Sequence, residues 1–497
     1  MLSSAPYSTK GGDGMVQVTF LPDNITITTE PGTTLLQAQI AAGLRPDAPC
    51  GGRGTCGKCR VEVAGETVLA CRTLVQEDMT VVLPEKQAVT ILTQGHCEER
   101  RADGSHALAA AFDIGTTTLV GFLLDGKTGA LLATASAMNP QFQYGADVIA
   151  RIEAAMAHPE PVLQQCLLPV LSELLYELTP TPEDITLASI VGNTAMHHLL
   201  LAIDPKPLVT PPYMPRVREA LVLPAAPRLP IHPDGVLRIL PNVAGFVGAD
   251  TVGCMTAVDF GSVEELTLMI DIGTNGEMVL GTKGRRIACS TAAGPAFEGA
   301  KISMGMRGST GAIDHVWIEK GQLRHHVIGE TTARGICGSG LLDAVACLLE
   351  LEIIDESGYL EGKQYTIPGT CVTLTQADIR EVQLAKAAIR AGIELMCVHL
   401  GVTPADIRSV LLAGAFGNYL DPRSACRIGM IPPVLLDRIR PIGNAAGEGA
   451  QICAVSAAAY EYSKKLAAET EFLELASRPE FQDCFVDALE FCEEDNL

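Results

Sequence analysis

P-C-G-G-R-G-T-C-G-K-C-R, residues 49–60, sets three cysteines in a glycine-rich loop, and a fourth follows in L-A-C-R-T. Cys50, Cys56, Cys59 and Cys71 thus form a Cys-x5-Cys-x2-Cys-x11-Cys set. Four thiolates converging from one loop and one distal position can hold a 2Fe–2S cluster. The glycines let backbone N–H groups approach the sulfurs and stabilise the negative charge added on reduction. Zinc is the alternative, but a closed zinc site usually shows paired Cys-x2-Cys knuckles, and this loop has a single pair. A disulfide framework has less support, because nothing suggests secretion. The same loop nearly spells a phosphate-binding P-loop, Gly52-x4-Gly57-Lys58. Cys59 stands where Ser or Thr should bind magnesium, and no apolar strand precedes it. The loop reads as a one-electron redox centre.

Around the loop, short strand-like runs surround one helix. V-Q-V-T-F and I-T-I-T alternate, L-L-Q-A-Q-I-A-A-G-L reads as a short amphipathic helix ending near Gly43, and R-V-E-V, T-V-L-A-C and T-V-V-L follow. This pattern fits a β-grasp ferredoxin domain over 15–85. Residues 86–106 turn polar, end in E-E-R-R-A-D-G-S-H and read as a linker. From Leu108 to about Tyr462 the chain alternates α and β, with an acidic, helical tail after it.

Composition limits the function. The formal charge is −22, which argues against a nucleic-acid partner, since phosphate neutralisation needs clustered Lys and Arg. No stretch of 18 clean apolar residues occurs; the best, Ala107 to Leu124, is broken by Asp113, so no membrane span is expected. The first residues lack a signal peptide's charged and apolar parts, and a cytoplasmic protein is expected. Reduced, buried thiols then account for most of the 16 cysteines.

A second constellation is a repeat. A-L-A-A-A-F-D-I-G-T-T-T (107–118) and L-T-L-M-I-D-I-G-T-N-G-E (266–277) share one design, an apolar strand ending in Asp and then a tight Gly-Thr turn. Glycine lets the backbone approach a phosphate, N–H groups and threonine hydroxyls donate to its oxygens, and the aspartate can hold magnesium or orient an attacking water. Asp113 and Asp271 are the candidate catalytic pair. Gly115, Thr116, Thr117 and Thr118 of the first loop and Gly273, Thr274, Asn275 and Gly276 of the second are candidate phosphate holders.

Further pieces fall in order: S-I-V-G-N-T-A-M-H-H (189–198), V-L-L-A-G-A-F-G-N-Y-L (410–420) and G-N-A-A-G-E-G-A (443–450). With them the chain resembles the actin, sugar-kinase and heat-shock-chaperone ATPase superfamily. The resemblance implies phosphate loops at 113–118 and 271–277, connecting helices at 190–200 and 443–455, and an adenosine loop at 411–418. It adds Gly192, Asn193, Thr194, Gly414 and Gly417 to the expected ATP site. The segment G-P-A-F-E-G-A-K (294–301) offers Glu298 to the ribose or adenine, with a solvated face as the alternative. G-I-C-G-S-G-L-L-D (335–343) lacks the preceding strand of a dinucleotide fingerprint and reads as a helix N-terminus lining the cleft. His197 and His198 would point about 100° apart on a helix, a poor start for one metal site.

The expected fold class is therefore multidomain α+β and α/β: a β-grasp 2Fe–2S domain, then a duplicated actin-like (ribonuclease H-like) ATPase fold. Its first subdomain is expected at 107–205, and its second at 206–497 with a C-terminal helical tail. The combination resembles the reductive activators of corrinoid-dependent methyltransferases. That resemblance implies a 2Fe–2S cluster, ATP and Mg as cofactors, a corrinoid protein and an upstream low-potential electron donor as partners, and leaves a homodimer open. Some relatives place a different cluster near the C-terminus; this chain has no such cysteine set, so the N-terminal centre must act. Two readings compete: a small-molecule kinase with a regulatory iron–sulfur domain, and a nucleotide-gated iron–sulfur binding module.

Overall fold

The computed structural model describes residues 15–44, 46, 48, 52, 54, 57–84, 101–273, 275–475 and 478–491. Cys50, Cys56, Thr274 and most of the expected linker lie outside the described residues. The chain forms an N-terminal unit (Met1–Lys86, with Phe142–Ala146) and a main unit (Gln87–Gln141 and Asp147–Leu497).

In the N-terminal unit, β1 (Val16–Leu21), β2 (Ile25–Thr29), α1 (Leu35–Ala41), β3 (Arg60–Val63), β4 (Glu66–Leu69) and β5 (Met79–Val82) follow in order. The sheet order is β2-β1-β5-β3-β4, with β1 parallel to β5. Alternation along β1 buries Val16, Val18 and Phe20. Thr34 starts α1 with a reciprocal cap: its Oγ1 accepts from Gln37 N at 3.2 Å, and Gln37 Oε1 accepts from Thr34 N at 3.1 Å. Such a cap contributes about 1 kcal/mol. Leu35, Leu36 and Ala38 of the helix join Val18, Phe20, Val61 and Val81 in one core.

The main unit repeats one plan. β6 (Leu108–Ile114), β7 (Thr118–Asp125) and β8 (Leu131–Met138) form an antiparallel meander. The helices α2 (Val148–Ala157) and α3 (Val162–Leu178) then lead to β9 (Ile185–Gly192), parallel to β6. After α4 (Thr194–Leu200), β10 (Leu221–Pro224) and β11 (Val236–Ile239) complete the sheet β10-β11-β9-β6-β7-β8, and α5 (Ala249–Ala257) follows. Two strands thus come from beyond residue 205, where the sequence suggested a new subdomain. β11 finds its parallel partner in β9, and that pairing carries the first half past the expected boundary.

The second half has its own meander, β12 (Thr267–Ile272), β13 (Gly276–Gly281) and β14 (Arg286–Thr291). A long excursion carries β15 (Ala312–Glu319), β16 (Gln322–Val327), β17 (Gly335–Ile336), α6 (Gly338–Glu350), the ribbon β18 (Gln364–Thr366) with β19 (Thr373–Thr375), and α7 (Gln376–Leu400). The chain returns as β20 (Ser409–Ala413), parallel to β12, then α8 (Gly414–Tyr419), α9 (Pro422–Arg427), β21 (Ile439–Gly443) and α10 (Ala445–Val455). The end is not helical throughout: between α11 (Ala457–Glu469) and α12 (Pro479–Asp487), β22 (Thr470–Phe472) pairs with β14 and closes the sheet β21-β20-β12-β13-β14-β22. Edge pairing wins over helical pattern there because β14 offers an open ladder. Among the described residues no helix is long and apolar enough to cross a membrane.

The halves meet on crossed helices. A Cβ on Gly449 of α10 would lie 2.1 Å from the carbonyl oxygen of Gly253 in α5, so this crossing requires glycine. Val252 and Met255 of α5 and Ala450 and Cys453 of α10 bury against Ala109 and Phe122 of one sheet and Met269 and Val279 of the other. The 190–200 segment was expected to supply the first connecting helix. α4 packs instead on α2 and α3, and α5 takes the crossing, having at Gly253 the glycine that α4 lacks.

Candidate functional site

Equivalent register places the two aspartates alike. Asp113 pairs with Val120 of β7 and Val191 of β9, and Asp271 with Glu277 of β13 and Ala413 of β20. Both line one cavity of about 660 Å³ in the main unit.

The first hairpin is pinned from three sides. Gly115 N donates to Thr118 O at 2.9 Å, and a Cβ on Gly115 would lie 2.7 Å from that oxygen. Asn139 Nδ2 donates to Gly115 O at 2.8 Å, buried Arg151 donates to Thr116 O at 2.5 Å, and Asn193 Nδ2 donates to Thr116 Oγ1 at 2.9 Å. Thr117 Oγ1 donates to Glu298 Oε2 at 2.6 Å, joining the first half to the second. In the second hairpin, Gly273 N donates to Asn275 O at 2.9 Å, and a Cβ on Gly273 would meet nothing closer than 3.9 Å, so that backbone is open to a ligand.

Of the residues singled out from sequence, Asp113, Gly115, Thr116, Thr117, Thr118, Asn193, Asp271, Gly273, Asn275, Glu298 and Gly414 line the cavity. Gly192, Thr194, Gly276 and Gly417 lie off its wall. Thr194 is buried and donates to Ala244 O at 2.7 Å, and the three glycines are each backed by protein atoms. Gly414 has φ +81 and a virtual Cβ 2.5 Å from Asp271 Oδ1, so only glycine lets the β20–α8 turn close on that carboxylate. Gly338 and Ser339, at the start of α6, also line the cavity.

Sequence reading missed two acids. Asp250 opens α5 and Glu277 follows the second hairpin, and both line the same cavity. Glu277 stood within the repeated motif; Asp250, in the first half, had no acidic counterpart in the second to mark it. Burial pushes Asp113 and Asp271 up to about 7, and the charge of Asp250 adds to both. Asn444 hydrogen-bonds Asp113 and opposes the rise. Asp250 and Glu277 are raised as well, first by burial. Among the described residues no basic side chain lowers these four acids, so the ring invites a cation. Among the described residues no three acidic, histidine or cysteine side chains converge tightly enough to ligate one metal directly. The ring would therefore suit a cation that keeps part of its water shell rather than a closed cage.

His197 and His198 are structural. His198 Nδ1 bonds Thr194 O at 2.7 Å and its Nε2 accepts from Arg216 N at 3.1 Å. His197 is buried, which pulls it down to about 4, and it bonds Asn242.

In the N-terminal unit Cys59 and Cys71 are both buried in the core. Ala70 N donates to Cys59 O at 2.8 Å, holding Cys59 against the end of β4 beside Cys71. Gly52 and Gly54 have φ +84 and +75, conformations that favour glycine.

Two aspartate-ended hairpins facing one cleft, on duplicated sheets joined by crossed helices, define an actin-like nucleotide-binding domain, here in one chain with a ferredoxin-like domain. Family models agree along the chain: the 2Fe-2S iron-sulfur cluster binding domain over residues 18–81, the RACo middle region over 108–262 and the C-terminal domain of RACo, the ASKHA domain, over 265–497. The corrinoid activation enzyme RamQ of Eubacterium limosum is 37% identical over 410 residues, 76% of this chain and 69% of that protein. The Co(II) methylated amine-specific corrinoid protein reductase of Methanosarcina barkeri is 28% identical over 361 residues, 65% of each. A solved reductive activator for corrinoid, iron-sulfur protein superposes with a TM-score of 0.71 at 28% identity, covering 96% of this chain and 98% of that one. The chain belongs to this family, the RACo-type reductive activators of corrinoid proteins.

Proposed function

We propose that this protein is an ATP-dependent reductive activator that delivers one electron to the Co(II) of a corrinoid protein and so restores Co(I) for methyl transfer. The observation that carries the reading is the pair of matched hairpins, at Asp113 and Asp271, facing one acidic cleft in a chain that also holds the cysteine loop. Cys50, Cys56, Cys59 and Cys71 would ligate a 2Fe–2S cluster, which supplies a one-electron store. A low-potential donor would refill it.

In the cleft, Gly115, Thr116, Thr117, Thr118, Gly273, Thr274 and Asn275 would hold the phosphates, with Asn193 fixing the Thr116 hydroxyl. Asp113 and Asp271, with Asp250 and Glu277, would hold hydrated Mg2+, which supplies charge neutralisation at the phosphates. Asp113 and Asp271 then orient the attacking water. Gly414 keeps the β20–α8 turn against Asp271, and closure of the two halves about α5 and α10 converts nucleotide state into a change of shape.

The test is anaerobic. Reduced protein is mixed with a Co(II) corrinoid protein, with and without Mg–ATP, and the Co(I) absorption band is followed. ATP should raise the rate and yield of Co(I). Equal Co(I) formation without nucleotide would remove ATP from the mechanism, and none under either condition would remove the corrinoid.

A further inference from the structure

The wall built by β15, β16 and α6 carries chemistry that the phosphate hairpins do not explain. A strand sends consecutive side chains to opposite faces, yet Asp314 and His315 both line the cavity. The register of β15 on β16 shifts between Ile313 and His315, and this irregularity turns both residues to one side. His315 Nδ1 lies 2.5 Å from Asp343 Oδ2. Ser424 Oγ, on α9, donates to the other Asp343 oxygen at 2.7 Å, and Val316 N donates to Oδ2 at 3.2 Å. The Asp343 side chain is 2% exposed and that of His315 48%. Taking a carboxylate out of water is costly unless it is fully hydrogen-bonded. Here the satisfied carboxylate fixes one half-exposed imidazole at a ligand cavity. His326, the cross-strand partner of His315, lines the same wall and is held by Asp314 at 2.6 Å. The apolar side chains of Phe297, Phe416 and Ile328 line the cavity too, and the first two rings stack at 5.1 Å.

We propose that His315 reads the nucleoside of the bound nucleotide: its Nε2 accepts a hydrogen bond from a nucleoside donor, a ribose hydroxyl or the exocyclic amino group of adenine. The inference rests on nucleotide occupying the cleft. A neutral ring that donates Nδ1–H to Asp343 carries no proton on Nε2, so that nitrogen is an acceptor. Such an acceptor pairs with adenine's amino group and rejects a purine that presents a carbonyl oxygen at the same place. Asp343 and Ser424 are positioning residues that set the ring's orientation and tautomer. The His315 ring also stacks on Trp317 at 5.2 Å and 21°, and Trp317 is the chain's one tryptophan. A nucleoside on His315 therefore has a built-in optical reporter.

The test uses the full-length protein, with ligand binding read by calorimetry and by Trp317 emission. The ligands are Mg–ATP, Mg–2′-deoxy-ATP, Mg–ITP and Mg–tripolyphosphate. His315→Phe keeps the ring and the stack but removes the acceptor. It should weaken ATP by about three- to tenfold, the range of one neutral hydrogen bond, and leave tripolyphosphate unchanged. Loss confined to ATP and 2′-deoxy-ATP assigns the donor to the amino group. Loss shared with ITP but reduced with 2′-deoxy-ATP assigns it to the ribose. Asp343→Asn should reproduce part of that loss of affinity as a higher KM for ATP hydrolysis without lowering kcat, which a merely structural defect would lower. Wild-type emission should change with ATP and not with tripolyphosphate. Should His315→Phe not fold, His315→Leu takes its place, judged by the ratio of ATP to tripolyphosphate affinity. Equal ATP affinity in wild type and folded variant, or equal losses for ATP and tripolyphosphate, overturns the inference and leaves the proposed function standing. Absence of any nucleotide binding to wild type overturns the proposed function itself.

Discussion

Binding of Mg–nucleotide should expel protons from the cleft, and Asp113→Asn should halve the share that Asp113 and Asp271 release. With Asp113 and Asp271 both near 7, each is about half protonated at pH 7, and the pair holds about one proton. A divalent cation forces both groups to ionise. From these two acids release should therefore be about one proton per site at pH 7 and close to none at pH 9, and whatever protons the raised Asp250 and Glu277 give up are common to wild type and variant. Removing the Asp113 carboxyl deletes its share and also lowers Asp271, because the Asp113 charge is one cause of that group's rise. The variant should therefore release at least about half a proton fewer than wild type at pH 7. Calorimetry of Mg–ATP binding in buffers of different ionisation enthalpy counts these protons, and the nucleotide's own proton cancels in the difference between the two proteins. Stability follows with a definite sign. Between the ordinary carboxylate value of 3.8 and about 7, the native state holds protons that the unfolded chain has lost. Stability of the nucleotide-free protein thus falls as pH rises through that window. Asp113→Asn removes one such penalty, so at pH 8 it should melt above wild type while losing ATP turnover, and the gain should vanish near pH 4. A wild-type heat independent of buffer at pH 7, or an unchanged proton count in the variant, would refute the assignment of these acids to the cation.

Three further outcomes are expected. Cys59→Ala should abolish the red-brown 2Fe–2S absorption while Cys371→Ala, at an exposed position of the main unit, keeps it; a full spectrum in the first variant would remove Cys59 from the ligands. Gly449→Ala drives a Cβ to 2.1 Å from Gly253 O and should cost about 1–3 kcal/mol by overpacking, read as a lower denaturation midpoint with unchanged cluster absorption. Arg151→Met frees the Thr116 carbonyl and should raise the KM for ATP more than it lowers kcat, and an unaltered KM would show that the first hairpin holds its shape without that anchor.

The parts legible in the sequence are those encoded locally. The cysteine spacing, the alternation along β1 and the two strand-Asp-Gly-Thr turns each lie within about a dozen residues, and periodicity reports such elements directly. What escaped was assembled over distance. Asp250 joins the acidic ring only because the start of α5 lines the same cavity as Asp113 of β6 and Asp271 of β12, and nothing around G-F-V-G-A-D marks it. The connecting helix was misplaced for a related reason: a crossing is decided by which two helices carry glycine at the contact, Gly253 and Gly449, and that pairing is a tertiary fact. Asp343 reads as an ordinary helix residue until Ser424 and His315, distant in the chain, converge on it. β22 likewise depends on the free edge of β14.

Why one chain should carry both an electron store and a nucleotide cleft is a question of free energy. Plant-type 2Fe–2S centres lie near about −400 mV, and the Co(II)/Co(I) couple is expected to be harder to reduce. A shortfall of about 150 mV would cost about 3.5 kcal/mol for one electron. Coupling between two sites on a protein is typically about 1–3 kcal/mol, so nucleotide-driven rearrangement of the complex covers most of such a gap without phosphorylating anything. That coupling is reciprocal for binding: if Mg–ATP changes how the corrinoid protein is held, the corrinoid protein must change the affinity for Mg–ATP by the same factor. Measured by calorimetry, the Kd for a non-hydrolysable ATP analogue should shift about 5- to 150-fold on adding the Co(II) corrinoid protein. The same shift should appear in the corrinoid protein's Kd when the analogue is added. An analogue affinity indifferent to the corrinoid protein would leave the cleft and the redox centre as two activities that merely share a chain.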